Sequence, residues 1–548
     1  MKFLRLLGNA LLCGLYASFL LALLVLDLNI NHILRPLDLP RLAASLMASY
    51  GLLVAFLCLL AAAVGRFFAG RSIDVPFPSP RFLTLGFTLL TLAFLVVFRE
   101  NTAHFSSFFV PAARSAILGQ LVAWFVVGAA GLIVLYKSSR WGGRAFAGFF
   151  VLAGLAYLAA AGLRGQFPAP GKSSRLSRIE PRAVAQRTTV LELAGLSFDV
   201  LFPLISQGKL PNFAYLMENG AWAHLAGFTP SDPFVLRATA ATGKRPGKHR
   251  QISEVRYGIP GFSGRVEVVP RFILFRQLKR LGLLRIAPND DRPEAKGLWE
   301  IYEMFGASVR RFGPEPKGFA VPAAKPETGR LFEATFETMK DETSPTAIRL
   351  RTAFLRDAAT EDLALRTKAE TQPQLFGMTL VGLDRVQPYF YKFSFPQHFG
   401  DLRPEEIQKF GPVIERYCQF YDRILSKILA SLKEDELLCV YSPYGVEPLP
   451  FWKRLVEWLL GNAEVSAYHE RGPEGAVFFY GNKGIVRGRN VDPFQLTDIA
   501  PTLLYYAGLP VGHYMDGLVR TAVFTTEFKD QNPVQTIMSY EDVDVEKR

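Results

Sequence analysis

Up to residue 164 the chain is a succession of apolar runs broken by short polar stretches: Gly8–Leu28, Leu42–Val64, Phe82–Phe98, Ser115–Tyr136 and Ala145–Leu163. Each run has about the 17–25 residues needed to cross a bilayer as a helix, and charges inside the runs are nearly absent. From Thr188 on the pattern changes to alternating strands and helices. Strands are predicted at Val190–Ala194, Ala307–Phe312, Leu375–Val381, Leu437–Tyr441 and Ala476–Tyr480. Helices are predicted after Pro211, from near Pro233 to Thr242-Gly243, at Leu298–Phe305, across Pro404–Leu432 with a break at Gly411-Pro412, and at Thr497–Ala507 before Gly508. The reading is a bundle of five transmembrane helices (1–164), a basic Pro/Gly/Ser linker (165–187), and an α/β domain (188–548) whose mostly parallel sheet is flanked by helices.

Composition sharpens this in three places. Half of the 548 residues are hydrophobic, and Lys plus Arg exceed Asp plus Glu by 62 to 49, giving a net charge of +13. Much of that excess lies in the membrane loops and the linker, and no nucleic-acid motif accompanies it, so nucleic acid is not an expected partner. The linker's basic residues, among them Arg164, Lys172, Arg175, Arg178, Arg182 and Arg187, either hold anionic lipid headgroups or form a solvated spacer. With the N-terminus inside, the cytoplasmic ends are richer in Lys and Arg than the outer loops, but the linker offsets that bias. Large domains cross regardless of flanking charge, so the expectation is an inner-membrane protein with an extracytoplasmic C-terminal domain. The first run lacks a convincing cleavage site and reads as a span rather than a removable signal. Cys13 and Cys58 fall in spans, whereas Cys418 and Cys439 read as two buried thiols or as one bridge.

Seven segments in order carry a family resemblance: GKLPNFAYLMENGA (208–221), ATGKRPGKH (241–249), LVGLDRVQ (380–387), FGPVIERYCQFYDRIL (410–425), YHERGPEGAVFFYG (468–481), LTDIAPTLLYYAGLPVGHYMDG (496–517) and SYE (539–541). Together they resemble the type I phosphodiesterase/nucleotide pyrophosphatase branch of the alkaline phosphatase superfamily. With the five spans, the chain looks like membrane-anchored sulfatase-fold proteins of the cell envelope. The resemblance implies an alkaline-phosphatase-like domain, two zinc-type ions and a Ser/Thr nucleophile, the ions neutralising phosphoryl oxygens. Carried over position by position, most of that chemistry is missing. The first-strand aspartate falls on Ala194 and the nucleophile on Pro233. Asp384 is kept, but its partner histidine falls on Pro388, and the Asp-His pair of a later loop reads Pro443-Tyr444. His469 matches the remaining ligand.

Neighbouring residues offer few replacements. Glu192 shares a strand face with Ala194 but is displaced by about 6.6 Å along the strand, far for a metal–oxygen bond of about 2 Å. Ser231 is an alternative nucleophile, two residues from Pro233. Asp384 and His469 are too few to hold zinc and can bond each other instead. Arg237, Arg385 and Lys244 are candidates for binding an anion without metal, against the plainer reading of surface or salt-bridged side chains. His249 reads as packing near a turn, and His224, His398 and His513 are scattered. Three functions compete. The first is a pseudoenzyme without cofactor that binds an envelope lipid, glycan or partner protein. The second is an active ester hydrolase or transferase using Ser231 and two zinc-type ions. The third is a scaffold in an envelope polysaccharide or lipid export assembly.

Overall fold

A computed structural model describes residues 2–545 apart from 70–74, 168–176, 180–183, 272–278, 280–281, 283, 290–294, 314–325, 401, 460, 471 and 542. Part of the linker therefore lies outside the described residues. The chain forms two compact units, one comprising Met1–Lys172 with Pro246–Arg292, the other Ser173–Arg245 with Pro293–Arg548. The 188–548 boundary read from the sequence needs one correction: residues 246–292 leave the C-terminal domain and pack with the N-terminal unit.

In the first unit, five helices are long and apolar enough to span a membrane: Lys2–Leu28, Asp38–Phe68, Pro80–His104, Pro111–Lys137 and Gly143–Gly165. They make the chain an integral membrane protein. The first two pack backbone to backbone, because a Cβ on Gly14 would lie 2.2 Å from the Gly51 carbonyl oxygen. The last two form one helical run that folds back on itself, with Gly119 against Leu163 and Gly131 against Phe149. Arg164 closes the first span, its guanidinium donating to the carbonyls of Leu26 (2.9 Å), Asn29 (3.1 Å) and His32 (2.8 Å). A cation at a helix C-terminus is favourably placed, and Arg164 is buried there rather than offered to lipid headgroups.

Residues 246–292 are held onto this unit by side chains that mimic a neighbouring strand. Asn29 accepts from the N–H groups of Glu267 (2.6 Å) and Val268 (2.9 Å) and donates to the Val268 carbonyl (2.8 Å). Asn101 accepts from Arg271 N–H at 2.6 Å, and Phe262 and Val266 complete an apolar cluster with Val25, Leu26, Leu42 and Leu46. Asn29→Ala strips those backbone groups of their partners and is expected to cost about 2–4 kcal/mol. Hydrogen exchange of amides 265–269 in detergent measures this, and exchange equal to wild type would contradict it.

The second unit is built on an eight-stranded sheet. Its strands are β1 (Arg187–Leu193), β2 (Ala221–Ala226), β3 (Val309–Phe312), β4 (Leu375–Leu380), β5 (Glu436–Tyr444), β6 (Glu474–Gly481), β7 (Arg489–Asn490) and β8 (Phe494–Gln495). The order is β7-β2-β6-β5-β1-β4-β3, with β8 also on β2. All pairings are parallel except those of β6. Alternate residues of β1 feed opposite cores: Leu191 and Leu193 pack with helices Pro345–Thr371, Gly382–Ser394 and Val413–Ser431, whereas Val190 and Ala194 pack with Pro233–Thr242, Leu298–Met304 and Ile499–Tyr506. A sheet covered on both faces explains why its strands read as nearly continuous apolar runs. All four cysteines are free, and burial pushes the Cys418 and Cys439 thiols up, so there is no bridge between them.

Candidate functional site

The parallel strands deliver their C-terminal ends to one edge of the sheet, where open α/β folds place ligands. β1 runs into Gly195, whose φ of +88° suits glycine. A Cβ there would lie 2.7 Å from Gln387 Oε1 and 3.1 Å from the Asp384 Cα, so this turn is pressed against the one that follows β4. That second turn opens the helix Gly382–Ser394 and is fixed from below. The Gly382 N–H donates to Asp357 Oδ2 (2.9 Å), and the Leu383 N–H to the Tyr421 hydroxyl (3.2 Å). Asp357 also accepts from the hydroxyls of Tyr417 and Tyr421, and burial pushes its carboxyl up to about 6 against those hydrogen bonds.

Asp384, in the first turn of this helix, lies 3.2 Å from His469 Nδ1. The approach is that of an ion pair without a well-directed hydrogen bond. Burial pulls the imidazole down, but Asp384, with Asp232 and Glu470 farther out, outweighs it and raises His469 above its ordinary value. Tyr444 packs beside it with its ring tilted by 39°, ring centroids 4.9 Å apart. Burial, then the charges of Asp384 and Glu192, hold its phenol well above the usual range, so Tyr444 stays neutral. The sequence places the end of this strand at Tyr441, but β5 continues through Ser442, Pro443 and Tyr444, with Tyr444 opposite Glu474 of β6. Pro443 and Tyr444 therefore belong to the sheet and not to a free loop.

Glu192 is buried on the Val190/Ala194 face of β1. Its Oε2 accepts from Thr379 (3.1 Å) and Tyr441 (3.2 Å), while Oε1 faces Arg237 Nε at 3.5 Å. Burial raises the Glu192 carboxyl, and Arg237 is the strongest influence opposing it. Of the two readings of Arg237, anion binder or salt-bridged side chain, the second matches this pairing, with Glu192 as a partner the sequence did not name. The only signals for it were that Glu192 shares the face of Ala194 and that Arg237 lies one turn beyond Pro233.

The remaining candidates go elsewhere. Asp232 is the N-cap of Pro233–Thr242, accepting from the Phe234 and Val235 N–H groups, and Gly243 closes the helix at φ +65°. An acid at this N-cap occupies the place an incoming anion would take. Ser231 donates to the Phe228 carbonyl at 3.5 Å, and no described contact joins it to His469 or Glu192. Lys244 bonds Glu541 and lies 3.9 Å over the Tyr514 ring. Arg385 is exposed. Pro388 lies inside its helix, its carbonyl accepting from Ser466, and Ala194 packs into the second core. Asp384 and His469 are thus the retained family-type pair, and they face each other.

Two zinc-type ions do not fit this arrangement. Among the described residues no group of three or more His, Cys, Asp or Glu side chains is placed to hold a metal ion, and a zinc site needs at least three protein ligands. What the edge of the sheet offers is two internally paired carboxylates, a neutral phenol, and buried amide and hydroxyl groups at Gln387 and Ser197. A search of curated proteins returns no match. Residues 188–500 match the family model described as type I phosphodiesterase / nucleotide pyrophosphatase. Fold, order of elements and that match agree: the chain belongs to the type I phosphodiesterase/nucleotide pyrophosphatase family.

Proposed function

We propose that this membrane-anchored member of the family is a binding protein rather than a hydrolase, with its C-terminal unit outside the cytoplasm. Its strand-end pocket would recognise an envelope lipid, a glycan or a partner protein without a cofactor. One observation carries the reading: the charged groups at the strand ends neutralise each other in pairs, Asp384 with His469 and Glu192 with Arg237. Binding two cations would require breaking the first pair and recruiting ligands where Ala194, Pro388, Pro443 and Tyr444 have none to give. Leaving either partner buried and alone is costly, which favours keeping the pairs.

The test uses full-length protein purified in detergent. Metal content by plasma emission is expected to be far below one ion per chain, with hydrolysis of bis(4-nitrophenyl) phosphate no faster than the blank. Ser231→Ala is expected to change neither. Stoichiometric zinc or manganese, together with turnover that Ser231→Ala removes, would overturn the proposal in favour of an active hydrolase. Mass spectrometry of material that co-purifies with the protein identifies the ligand class.

A further inference from the structure

The helix Phe451–Leu459 (FWKRLVEWL) is built inside out. Its apolar side chains, Phe451, Trp452, Leu455, Val456, Trp458 and Leu459, are 44–74% exposed. They recur with the helical repeat and so share one broad face. The polar residues between them turn toward the protein. Lys453 Nζ lies 3.3 Å from Glu470, Glu457 accepts from Asn462 (2.6 Å) and from the Tyr468 hydroxyl (3.0 Å), and Arg454 stacks 4.9 Å over the Phe399 ring. A surface helix of a soluble domain does the opposite, and a contiguous apolar patch containing two tryptophans marks a surface that something covers.

We propose that this helix lies in the interface of a lipid bilayer, its Phe/Trp/Leu face in the acyl boundary. Two observations select lipid as the occupant. Trp and Phe beside Leu and Val are the side chains that favour the headgroup–acyl boundary. The same chain carries five apolar spans, so a bilayer is tethered to this domain. The placement also bears on the strand-end pocket. The helix is inserted between Tyr444 and His469 in the chain, and its inner face bonds Tyr468 and Glu470, the residues on either side of His469. A helix seated in lipid therefore brings the loop that carries His469 to the headgroup layer, where a bilayer-borne ligand would meet it. The membrane contact holds whichever way the hydrolysis test falls.

The experiment keeps the protein whole. In a Cys58→Ser background, whose other three cysteines are buried, Leu455→Cys carries an environment-sensitive NBD label, and Glu370→Cys on an exposed helix serves as control. Both proteins are placed in nanodiscs. The expected result is blue-shifted emission at 455 that lipids brominated in the acyl chain quench roughly twofold, shallow bromines more than deep ones, because interfacial helices bury about 5–10 Å below the headgroups. The control keeps a water-like, unquenched emission. Water-like emission at 455 would overturn the proposal. So would a blue shift that brominated lipid does not quench, which would mean that a protein surface or a second copy of this chain covers the helix.

Discussion

Replacing Asp357 by alanine is expected to destabilise the C-terminal unit by about 3–5 kcal/mol and to free the turn that carries Asp384. One carboxylate oxygen accepts from the Gly382 N–H (2.9 Å), the Tyr421 hydroxyl (2.9 Å) and the Tyr417 hydroxyl (3.1 Å). Removing it leaves buried donors with no acceptor, in a site too tight to refill, since even a Cβ on Gly382 would lie 1.8 Å from the Tyr417 hydroxyl. The pH dependence is a second, independent readout. The Asp357 carboxyl titrates at about 6 in the folded protein against an ordinary value of 3.8. Between those values the folded state binds more protons than the unfolded one, so this group's contribution to stability falls as pH rises from about 4 to about 6 and is level above. Asp357→Asn keeps an acceptor and removes the titration. Its melting curve subtracted from wild type over pH 4–7 should show that slope, and amides 380–386 of the alanine variant should exchange faster. Unchanged exchange at those amides would sink the argument.

The sequence reveals those parts of the molecule where one local period decides the structure. Five spans were legible because about twenty apolar residues without charge have few other uses. β1 and β4 were legible as short buried runs ending in glycine turns. The helix Pro345–Thr371 was not read, because its buried positions, Leu350, Phe354 and Asp357 among them, alternate with many charged and threonine residues that dilute the stripe. With it went Asp357, the residue that fixes the Asp384 turn. Residues 246–292 look like part of the C-terminal domain, because nothing local announces that Asn29 and Asn101 are waiting for their backbone. The end of β5 was misplaced by expecting a ligand loop where pairing with β6 extends the strand. In Phe451–Leu459 the spacing identifies an apolar face but not that this face points outward, which depends on partners at Glu470 and Tyr468.

At the site, the sequence showed which residue types were missing and not what replaced them. Ala194, Pro233, Pro388 and Pro443 can be counted off along the chain. That Arg237 reaches back to Glu192 depends on the helix after β2 crossing the end of β1, which no spacing encodes. The same holds for Lys244, a candidate for anions in the sequence, which the fold pairs with Glu541.

The Glu192–Arg237 pair supports the last prediction: Arg237→Ala should cost about 3–5 kcal/mol, more than a partly exposed arginine would otherwise suggest. Glu192 is fully enclosed, and Arg237 is its only cationic neighbour among the described contacts. Without the guanidinium, the carboxylate keeps two hydroxyl donors and loses its countercharge, so its already raised pKa must rise further. The sign follows from the extra protons held by the folded state. The variant's deficit is smallest in acid, where Glu192 is protonated in both states, and grows as pH rises. Glu192→Gln in the same chain removes the buried charge and is expected to recover much of the loss, a coupling of about 1–3 kcal/mol by double-mutant cycle. Glu192→Gln alone should be milder, because Arg237 retains the Pro233 carbonyl at 3.2 Å and a path to water. Melting temperatures of the four proteins at pH 4.5 and pH 8 decide the matter. A small, pH-independent loss in Arg237→Ala, unrelieved by Glu192→Gln, would mean that the two side chains are merely neighbours. The strand-end pocket would then hold an uncompensated charge available to a cationic ligand, which is the opposite of what a pocket of internally paired groups requires.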